Sequence, residues 1–469
     1  MNLVYGIKDK PKFHQLLIFA FQQVLAILAA TIAVPTIIGN GMSQSAALFG
    51  AGIGTIVYQL FTRFKSPVYL GSSFAFLGSM SAAFAGAASA AAGHTGLIIG
   101  AIFAGLVYVV IAIVVKLVGV KWVDKLMPPA VIGPTVAIIG LSLAGNAVGD
   151  LTKGKVMVEQ VSQVIENGQI VDKVNYVSGC SPYVALICGL VTLLAIIVFS
   201  VYGKKMMKLI PFILGILVGY VVASIFTVIG IATDNVALQV IDFSVFKNMR
   251  IVAVPEYTFL HTISMCVSSI AGKTEFPIDG AYIATLAVAY VPVAFVVFAE
   301  HIADHKNLSS IIGQDLLREP GLHNTLLGDG IGSMTGAFFG GCPNTTYGES
   351  VGCVAITRNA SVITITTAAI MCMVISFFGP FVTFLASIPN CVMGGVCTAL
   401  YGFIAVSGLK MIQKVDLSQS KNLFVVSVIL ITGIGGLTLT FGKVTLTAIA
   451  CALILGILTN VLVSKAKED

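Results

Sequence analysis

The chain has 469 residues, of which 57% are hydrophobic and 10% are charged, and its mean hydropathy is +1.00. Soluble domains carry about 25% charged residues, so this composition excludes a soluble globular protein and indicates a polytopic membrane protein. The net charge of +6 comes from Lys and Arg that are dispersed between apolar runs, which does not indicate a nucleic-acid partner.

Apolar stretches of about 17–25 residues predict transmembrane helices. Fourteen apolar stretches, most of them of this length, follow one another along the chain, which predicts an all-α membrane protein. The predicted spans lie near 15–34, 45–62, 74–93, 96–116, 127–148, 182–203, 209–231, 281–303, 323–341, 347–357, 360–386, 389–409, 421–440 and 444–464.

The third and the tenth predicted spans differ from the others. Each is short and follows an extended, Pro-led segment, which begins at Ser66-Pro67 before the third span and at Cys342-Pro343 before the tenth. Half-helices with an extended lead-in are typical of binding sites at the bilayer midplane. We therefore predict that both spans are discontinuous, each with a short β-strand followed by a half-helix.

Charge distribution predicts the orientation. Most of the 26 Lys and Arg lie in segments that share one side of the membrane if both termini are cytoplasmic. The two long loops, 149–181 and 232–280, then lie outside.

Two sequence echoes predict an internal repeat. Pro128-Pro-Ala-Val-Ile-Gly133 opens the fifth span and Pro389-Asn-Cys-Val-Met-Gly394 opens the twelfth, while the Pro-led segments open the third and tenth. Both pairs are seven spans apart. Because seven is odd, the second copy enters the membrane from the opposite side, as in an inverted 7+7 repeat. The alternative is that Pro and Gly are simply common in membrane spans.

Two carboxylates lie at predicted membrane depth. Glu300 ends the uncharged run 281–299, and Glu349 follows the broken stretch that begins at Gly340. An ionisable side chain in a bilayer costs roughly 2.5–3.5 kcal/mol on insertion scales and indicates a functional site. Asp304 lies one helical turn after Glu300, with His301 and His305 beside them. Close carboxylates disfavour each other's ionised form, so the cluster is suited to carrying a proton. The alternative is a solvated helix end.

The residues around Glu349 predict backbone hydrogen-bond donors. Gly348 allows a close approach to the half-helix N-terminus, and Ser73 and Phe74 open the other half-helix. An inorganic anion suits these donors but is repelled by the glutamates. A neutral planar imide, with N–H donors and C=O acceptors, suits both groups.

Several other residues are predicted to support the site or the packing. Asp329 lies in an apolar span and is interpreted as a core polar residue, while Gln22 and Gln23 are either pocket-lining or interhelical. Gly332, Gly336 and Gly340 follow one helix face and predict close helix packing. The nine cysteines contain no CxxC pair and are interpreted as buried apolar residues. No sequence motif indicates a metal, a cofactor or an enzyme.

The chain resembles the nucleobase–ascorbate transporter family, specifically its bacterial uracil permease branch, over essentially its whole length. The matching motifs are Tyr69-Leu-Gly-Ser-Ser-Phe-Ala-Phe76, Ala299-Glu-His-Ile302, Asp315-Leu-Leu-Arg-Glu-Pro-Gly-Leu-His323, and the stretch from Pro343-Asn-Thr-Thr-Tyr-Gly-Glu349 through Ala355-Ile-Thr-Arg358. Purine members have Gln-Asn where this chain has Gly348-Glu349.

The resemblance implies a core domain and a gate domain, with dimerisation through the gate. The implied boundaries are 1–126 and 281–386 for the core, 127–231 and 387–469 for the gate, and 232–280 for an extracellular loop. It also implies proton-coupled import of uracil across the bacterial cytoplasmic membrane by alternating access. A purine or xanthine permease and an anion transporter of the same architecture are the alternatives.

The resemblance also assigns roles to individual residues. Glu300 and Glu349 are expected to hydrogen-bond the pyrimidine, and the backbone amides of Phe74 and Gly348 to hold a carbonyl oxygen. Tyr347, Ser73 and Tyr401 are expected to shape the pocket, and Asn344 to support it. The chain departs from the family pattern at Asp304, where uracil permeases have His, with His305 one residue later. Proton coupling is therefore expected from Glu300, Asp304 and His305.

Overall fold

A computed structural model describes residues 3–166, 169–204, 206–247, 249–271, 277–441 and 444–464. The extreme chain ends, predicted to be cytoplasmic, lie outside these residues. The described residues form helices joined by short connections, with three two-stranded antiparallel sheets. In chain order the elements are α1 (Phe13–Ile38), α2 (Gln44–Phe61), β1 (Leu70–Ser72), α3 (Leu77–Ala85), α4 (Ala90–Val118), α5 (Lys121–Leu126), α6 (Pro129–Ser142), α7 (Ala144–Asp150), β2 (Met157–Glu166), β3 (Gln169–Ser178), α8 (Pro182–Tyr202), α9 (Met206–Leu209), α10 (Pro211–Ala232), α11 (Thr258–Ile270), α12 (Gly280–Ile312), α13 (Leu322–Gly340), β4 (Asn344–Thr346), α14 (Gly348–Thr357), α15 (Val362–Ile375), α16 (Gly379–Ser387), α17 (Asn390–Ile412), α18 (Ser420–Ile434), β5 (Leu439–Phe441), β6 (Val444–Leu446) and α19 (Ala448–Val463).

Many of these helices are long and apolar enough to cross a bilayer. Seven such helical stretches occur among the described residues, and five shorter apolar helices accompany them. The long ones are α1, α4, α6 with α7, α8, α10, α12 and α17. The chain is therefore a multi-pass membrane protein. Each of the fourteen predicted spans contains a helix, and the number of crossings remains a prediction.

Helix boundaries differ from the sequence prediction in the third span. Its helix α3 ends at Ala85, and the last residues assigned to that span belong to α4. The reason is local: the Ser89 hydroxyl accepts a hydrogen bond from the Ala92 backbone N–H and so caps a new helix.

The two predicted outer loops also contain regular structure. Strands β2 and β3 pair as a ten-residue antiparallel hairpin within 149–181, and α11 lies within 232–280. Neither element was predicted from the sequence.

Internal contacts group the chain into two compact units. The first comprises Met1–Ser142, Val252–Phe378 and Tyr401–Asp469, and the second comprises Leu143–Ile251 and Gly379–Leu400. In the first unit α2 packs against α13 and α15, and α4 packs against α12 and α13. In the second unit α8 packs against α10. The core and gate domains implied by the resemblance have other boundaries and remain a prediction.

The glycine face of α13 lies against α2, as its spacing predicts. A methyl group on Gly340 would lie 2.6 Å from the Ala46 carbonyl oxygen and 2.7 Å from the Ala47 Cα atom. A methyl group on Gly50 of α2 would lie 2.6 Å from the Gly336 carbonyl oxygen. The two backbones are therefore in direct contact, which allows van der Waals attraction where the bilayer supplies no hydrophobic driving force.

This packing predicts that Gly340→Ala destabilises the protein. The added methyl group meets only backbone atoms of α2, which cannot rotate away, so we expect a loss of about 1–3 kcal/mol. The measurement is the thermal unfolding midpoint of the purified protein in detergent. Gly145→Ala is the matched control because nothing lies within 4 Å of its added methyl group. A Gly340→Ala protein as stable as the control would show that the two helices are not in contact.

Candidate functional site

Strands β1 and β4 form a three-residue antiparallel ladder within the helical body of the first unit. Leu70 lies opposite Thr346, and Ser72 lies opposite Asn344. The ladder is extended by backbone hydrogen bonds from the Tyr347 N–H to the Tyr69 carbonyl (3.2 Å) and from the Ser73 N–H to the Pro343 carbonyl (2.9 Å). All residues of both strands are buried. Pairing satisfies their backbone groups, which is the condition for extended chain at membrane depth.

A helix begins immediately after each strand. A single 3₁₀ turn, Phe74–Phe76, leads from β1 into α3, and α14 begins at Gly348 after β4. The first N–H groups of a helix have no partner within that helix. Neither of the described cap residues, Ser73 and Tyr347, caps its helix with a side chain. The two helix starts thus present backbone donors, and the Gly348 backbone is exposed.

Three acidic side chains meet beside the start of α14. Glu300 and Asp304 lie on α12, one turn apart, and Glu349 is the second residue of α14. Their charges are close enough to interact. Asp304 accepts a hydrogen bond from the Thr346 hydroxyl at 2.7 Å, and a methyl group on Gly348 would lie 3.8 Å from Asp304 Oδ1.

The three acidic side chains are partly accessible, unlike three of their neighbours on α12. Glu300, Asp304 and Glu349 are half-buried, whereas the neighbouring residues of α12, His301, Ile302 and His305, are buried. We refer to Glu300, Asp304 and Glu349, with the exposed backbone at Gly348, as the acidic cluster. It combines carboxylate acceptors with backbone N–H donors at one place.

The two histidines of α12 lie on its buried side. His301 Nδ1 contacts Asp329 Oδ2 at 2.7 Å, and its Nε2 contacts the Thr325 hydroxyl at 3.0 Å. Both partners belong to α13. Asp329 is fully buried, and among the described residues its hydrogen-bond partner is His301 and no member of the acidic cluster on α12 and α14.

His305 is held in a second buried network. Its Nδ1 faces the His301 carbonyl oxygen at 2.8 Å, so Nδ1 donates, and its Nε2 lies 2.8 Å from the Tyr58 hydroxyl. Tyr58 also contacts the Ser66 hydroxyl at 2.7 Å. Asp304 and His305 are adjacent in sequence but lie on different faces of α12. Asp304 is on the accessible face, whereas both ring nitrogens of His305 have hydrogen-bond partners on the buried face.

Two of the predicted aromatic residues form a buried wall. The rings of Phe74 and Tyr401 meet edge to face, with centroids 5.4 Å apart. Tyr347 donates a hydrogen bond from its hydroxyl to the Ser72 carbonyl at 2.8 Å. These contacts fix the chain on either side of the two helix starts.

The predicted supporting residues divide into two groups. Gln23 donates from Nε2 to the Ser350 hydroxyl at 2.5 Å, which ties α1 to the residue after Glu349, and Gln22 is buried on the same helix. Asn344 instead donates to the Gly50 carbonyl at 3.0 Å and ties β4 to α2.

Sequence reasoning missed Thr346, Ser350, Thr325 and Tyr58. Thr346 and Ser350 lie inside the predicted motif, but their partners are 42 and 327 residues away, so the contacts depend on strand register and helix packing that the sequence does not show. Among the described residues, no group of three or more His, Cys, Asp or Glu is placed to hold a metal ion.

Comparison with known proteins identifies the family. A sequence model of the permease family matches residues 14–442. The chain belongs to the nucleobase–ascorbate transporter family. A uracil permease of Bacillus caldolyticus is 36% identical over 462 residues, which cover 98% of this chain and 94% of that protein. A uracil permease of Bacillus subtilis is 33% identical over 468 residues, which cover 99% and 96%. The protein is a membrane transporter and not an enzyme.

A solved structure shares the fold. The transmembrane domain of a cyanobacterial bicarbonate transporter, BicA, aligns with a TM-score of 0.61 at 16% identity, over 97% of this chain and 100% of that domain. At this identity the likeness concerns the fold alone.

The His301–Asp329 contact predicts a specific stability difference. In Asp329→Ala the buried ring nitrogen of His301 loses its acceptor, and we expect a loss of about 1–3 kcal/mol. Asp329→Asn is the matched control because its amide oxygen still accepts a hydrogen bond. The measurement is the unfolding midpoint in detergent. Equal midpoints for the alanine and asparagine variants would contradict the role of this hydrogen bond.

Proposed function

We propose that this transporter imports uracil across the bacterial cytoplasmic membrane, coupled to protons, by alternating access. The observation that carries the proposal is the acidic cluster, in which three half-buried carboxylates lie beside the exposed start of a helix. The names of the relatives support the same substrate, since the two compared above are uracil permeases.

The chemistry of the cluster matches a neutral pyrimidine. Uracil has two ring N–H donors and two carbonyl acceptors in one plane. In the proposal Glu300 and Glu349 accept from the ring N–H groups, while the backbone N–H groups of Phe74 and Gly348 donate to a carbonyl oxygen. An apolar surface beside the uracil ring is then formed by the edge-to-face pair of Phe74 and Tyr401 and by the side chain of Tyr347. Ser73, which follows β1, is the remaining residue proposed to contact the substrate.

The alternatives fit the cluster less well. An inorganic anion would be favoured by the helix N-termini but repelled by the acidic cluster. A purine or xanthine permease is disfavoured by Gly348-Glu349, because purine members of the family have Gln-Asn there.

Proton coupling is proposed for Glu300 and Asp304. They lie one turn apart on the accessible face of α12, and Asp304 also receives the Thr346 hydrogen bond. Two carboxylates this close disfavour double ionisation, so one of them holds a proton. In the proposal that proton is released when substrate binding or a conformational change weakens the repulsion between the two carboxylates. His305, the third residue expected to contribute, is engaged by Tyr58 and the His301 carbonyl.

The larger architecture completes the proposal. We propose fourteen spans in two inverted halves, discontinuous third and tenth spans, a core domain that moves against a gate domain, a homodimer formed through the gate, and cytoplasmic termini. The antiparallel β1–β4 pairing supports the inverted halves, because each strand leads into a helix that leaves the ladder at the opposite end.

The substrate is tested by uptake of radiolabelled uracil into cells that lack their own uracil permease. We expect Glu349→Gln and Glu300→Gln to lower uptake at limiting uracil at least tenfold, since a hydrogen bond to a charged group contributes about 1.5–3 kcal/mol. Glu319→Gln is the matched control because that carboxylate is exposed and pairs with Lys65. A well-expressed wild type without uracil uptake would overturn the assignment and favour purines.

The coupling residues are tested by measuring two activities separately: the exchange of internal for external uracil, and the accumulation of uracil inside the cell. We expect Asp304→Asn to exchange internal for external uracil but to lose the accumulation that a protonophore collapses in the wild type, because the neutral amide cannot carry a proton. His305→Gln is the comparison. Coupling lost in His305→Gln and retained in Asp304→Asn would assign the proton to the histidine. Wild-type accumulation that ignores the protonophore would remove the proton mechanism.

A further inference from the structure

A basic cavity of about 380 Å³ lies in the first unit, apart from the acidic cluster. Three elements form it: the segment after α2, the last two turns of α4 and the first two turns of α13. Its polar lining is Arg63, Lys116, His323 and Asn324, and its apolar lining includes Ala112 and Ile113. No member of the acidic cluster lines it.

Among the residues that the structure describes, the two cations of this cavity have no acidic partner. Among the ion pairs of the described residues, neither Arg63 nor Lys116 takes part. The nearby Lys65 differs, because it pairs with Glu319 at 2.8 Å, and this hydrogen bond lowers the pKa of the Glu319 carboxyl. Arg63 and Lys116 both act electrostatically on His323.

A helix start adds to the positive charge. Helix α13 begins at Leu322, so His323 and Asn324 lie in its first turn, where the partial charge of a helix is positive. Two cations that form no ion pair with a described residue, together with a helix N-terminus, favour an anion in this cavity. Phosphate groups suit cationic side chains beside a helix N-terminus.

The apolar side of the cavity is continuous with an exposed hydrophobic surface. Ile113 is 50% exposed, and Leu117, beside Lys116, is 79% exposed. On a membrane-spanning helix such side chains contact lipid tails. An occupant can therefore place a charged group in the cavity while its apolar part stays against α4, which a free inorganic anion cannot do.

We propose that this cavity binds the phosphate headgroup of an anionic phospholipid. Arg63 and Lys116 hold the phosphate, and an acyl chain lies along Ile113 and the exposed face of α4. Both cations lie in segments predicted to be cytoplasmic, and the cytoplasmic leaflet carries negative surface potential from its anionic lipids. The proposal is independent of the transported substrate.

The test is lipid binding by native mass spectrometry of the full chain in detergent. Phosphatidylglycerol and phosphatidylcholine are titrated separately against the wild type and against the double variant Arg63→Gln/Lys116→Gln. We expect the wild type to bind phosphatidylglycerol more tightly, and the double variant to lose about fivefold in affinity for each cation removed. Lys410→Gln/Lys414→Gln is the matched control, since it removes two exposed cations elsewhere on the chain.

Three outcomes would overturn the proposal. Equal binding of the two lipids by the wild type would exclude a headgroup site. An equal loss in the control pair would show general surface attraction. Displacement of phosphatidylglycerol by millimolar inorganic phosphate would assign the cavity to a free anion. The thermal unfolding midpoint of each variant is measured alongside, and a double variant that does not fold is replaced by the single variants Arg63→Gln and Lys116→Gln.

Discussion

The pairing of two short strands inside a helical membrane protein is the interaction on which the site depends. A bilayer supplies no hydrogen-bond partners, so extended chain is tolerated there only if its backbone groups are paired within the protein. The β1–β4 ladder meets this condition for both segments at once. Because each strand is satisfied by the other, both helices can begin directly after the ladder, and their first N–H groups have no partner within their own helix.

Helix α12 divides its polar residues between two faces, and this division explains the different environments of its acids and histidines. Glu300 and Asp304 lie toward β4 and the start of α14, where they are partly accessible. His301 and His305 lie toward α13 and α2, where Asp329 and Tyr58 engage them. The same turn of α12 thus carries the residues proposed to exchange protons and the histidines whose hydrogen bonds hold α12 against α13 and α2. Because the glycines let α2 and α13 pack closely, Tyr58 on α2 and Asp329 on α13 both lie within hydrogen-bond distance of the α12 histidines.

Sequence alone predicted the elements that carry strong local signals. Charges inside apolar runs singled out Glu300 and Glu349, which lie on α12 and at the start of α14, and the Pro-led segments marked the chain that forms β1 and β4. The hairpin β2–β3 also carries a signal that went unused, since segments rich in Val and Ile flank Asn167-Gly168, a common hairpin sequence, on both sides. The Ser89 cap could likewise have moved the start of α4. The contacts of Thr346, Ser350 and Tyr58 could not be predicted, because they depend on strand register and helix rotation between distant parts of the chain.

The shared fold with a bicarbonate transporter shows why the site rather than the architecture must decide the substrate. Two helix starts beside a strand ladder create positive partial charge, which by itself suits an anion. In this chain the second residue of α14 is Glu349, and α12 adds Glu300 and Asp304. The carboxylates offset the helix ends and convert a site for a negative group into one that supplies donors and acceptors in balance. In the proposed function, a neutral ring with both kinds of group is the ligand that this balance suits, and the two carboxylates are the proposed place for a proton between transport cycles.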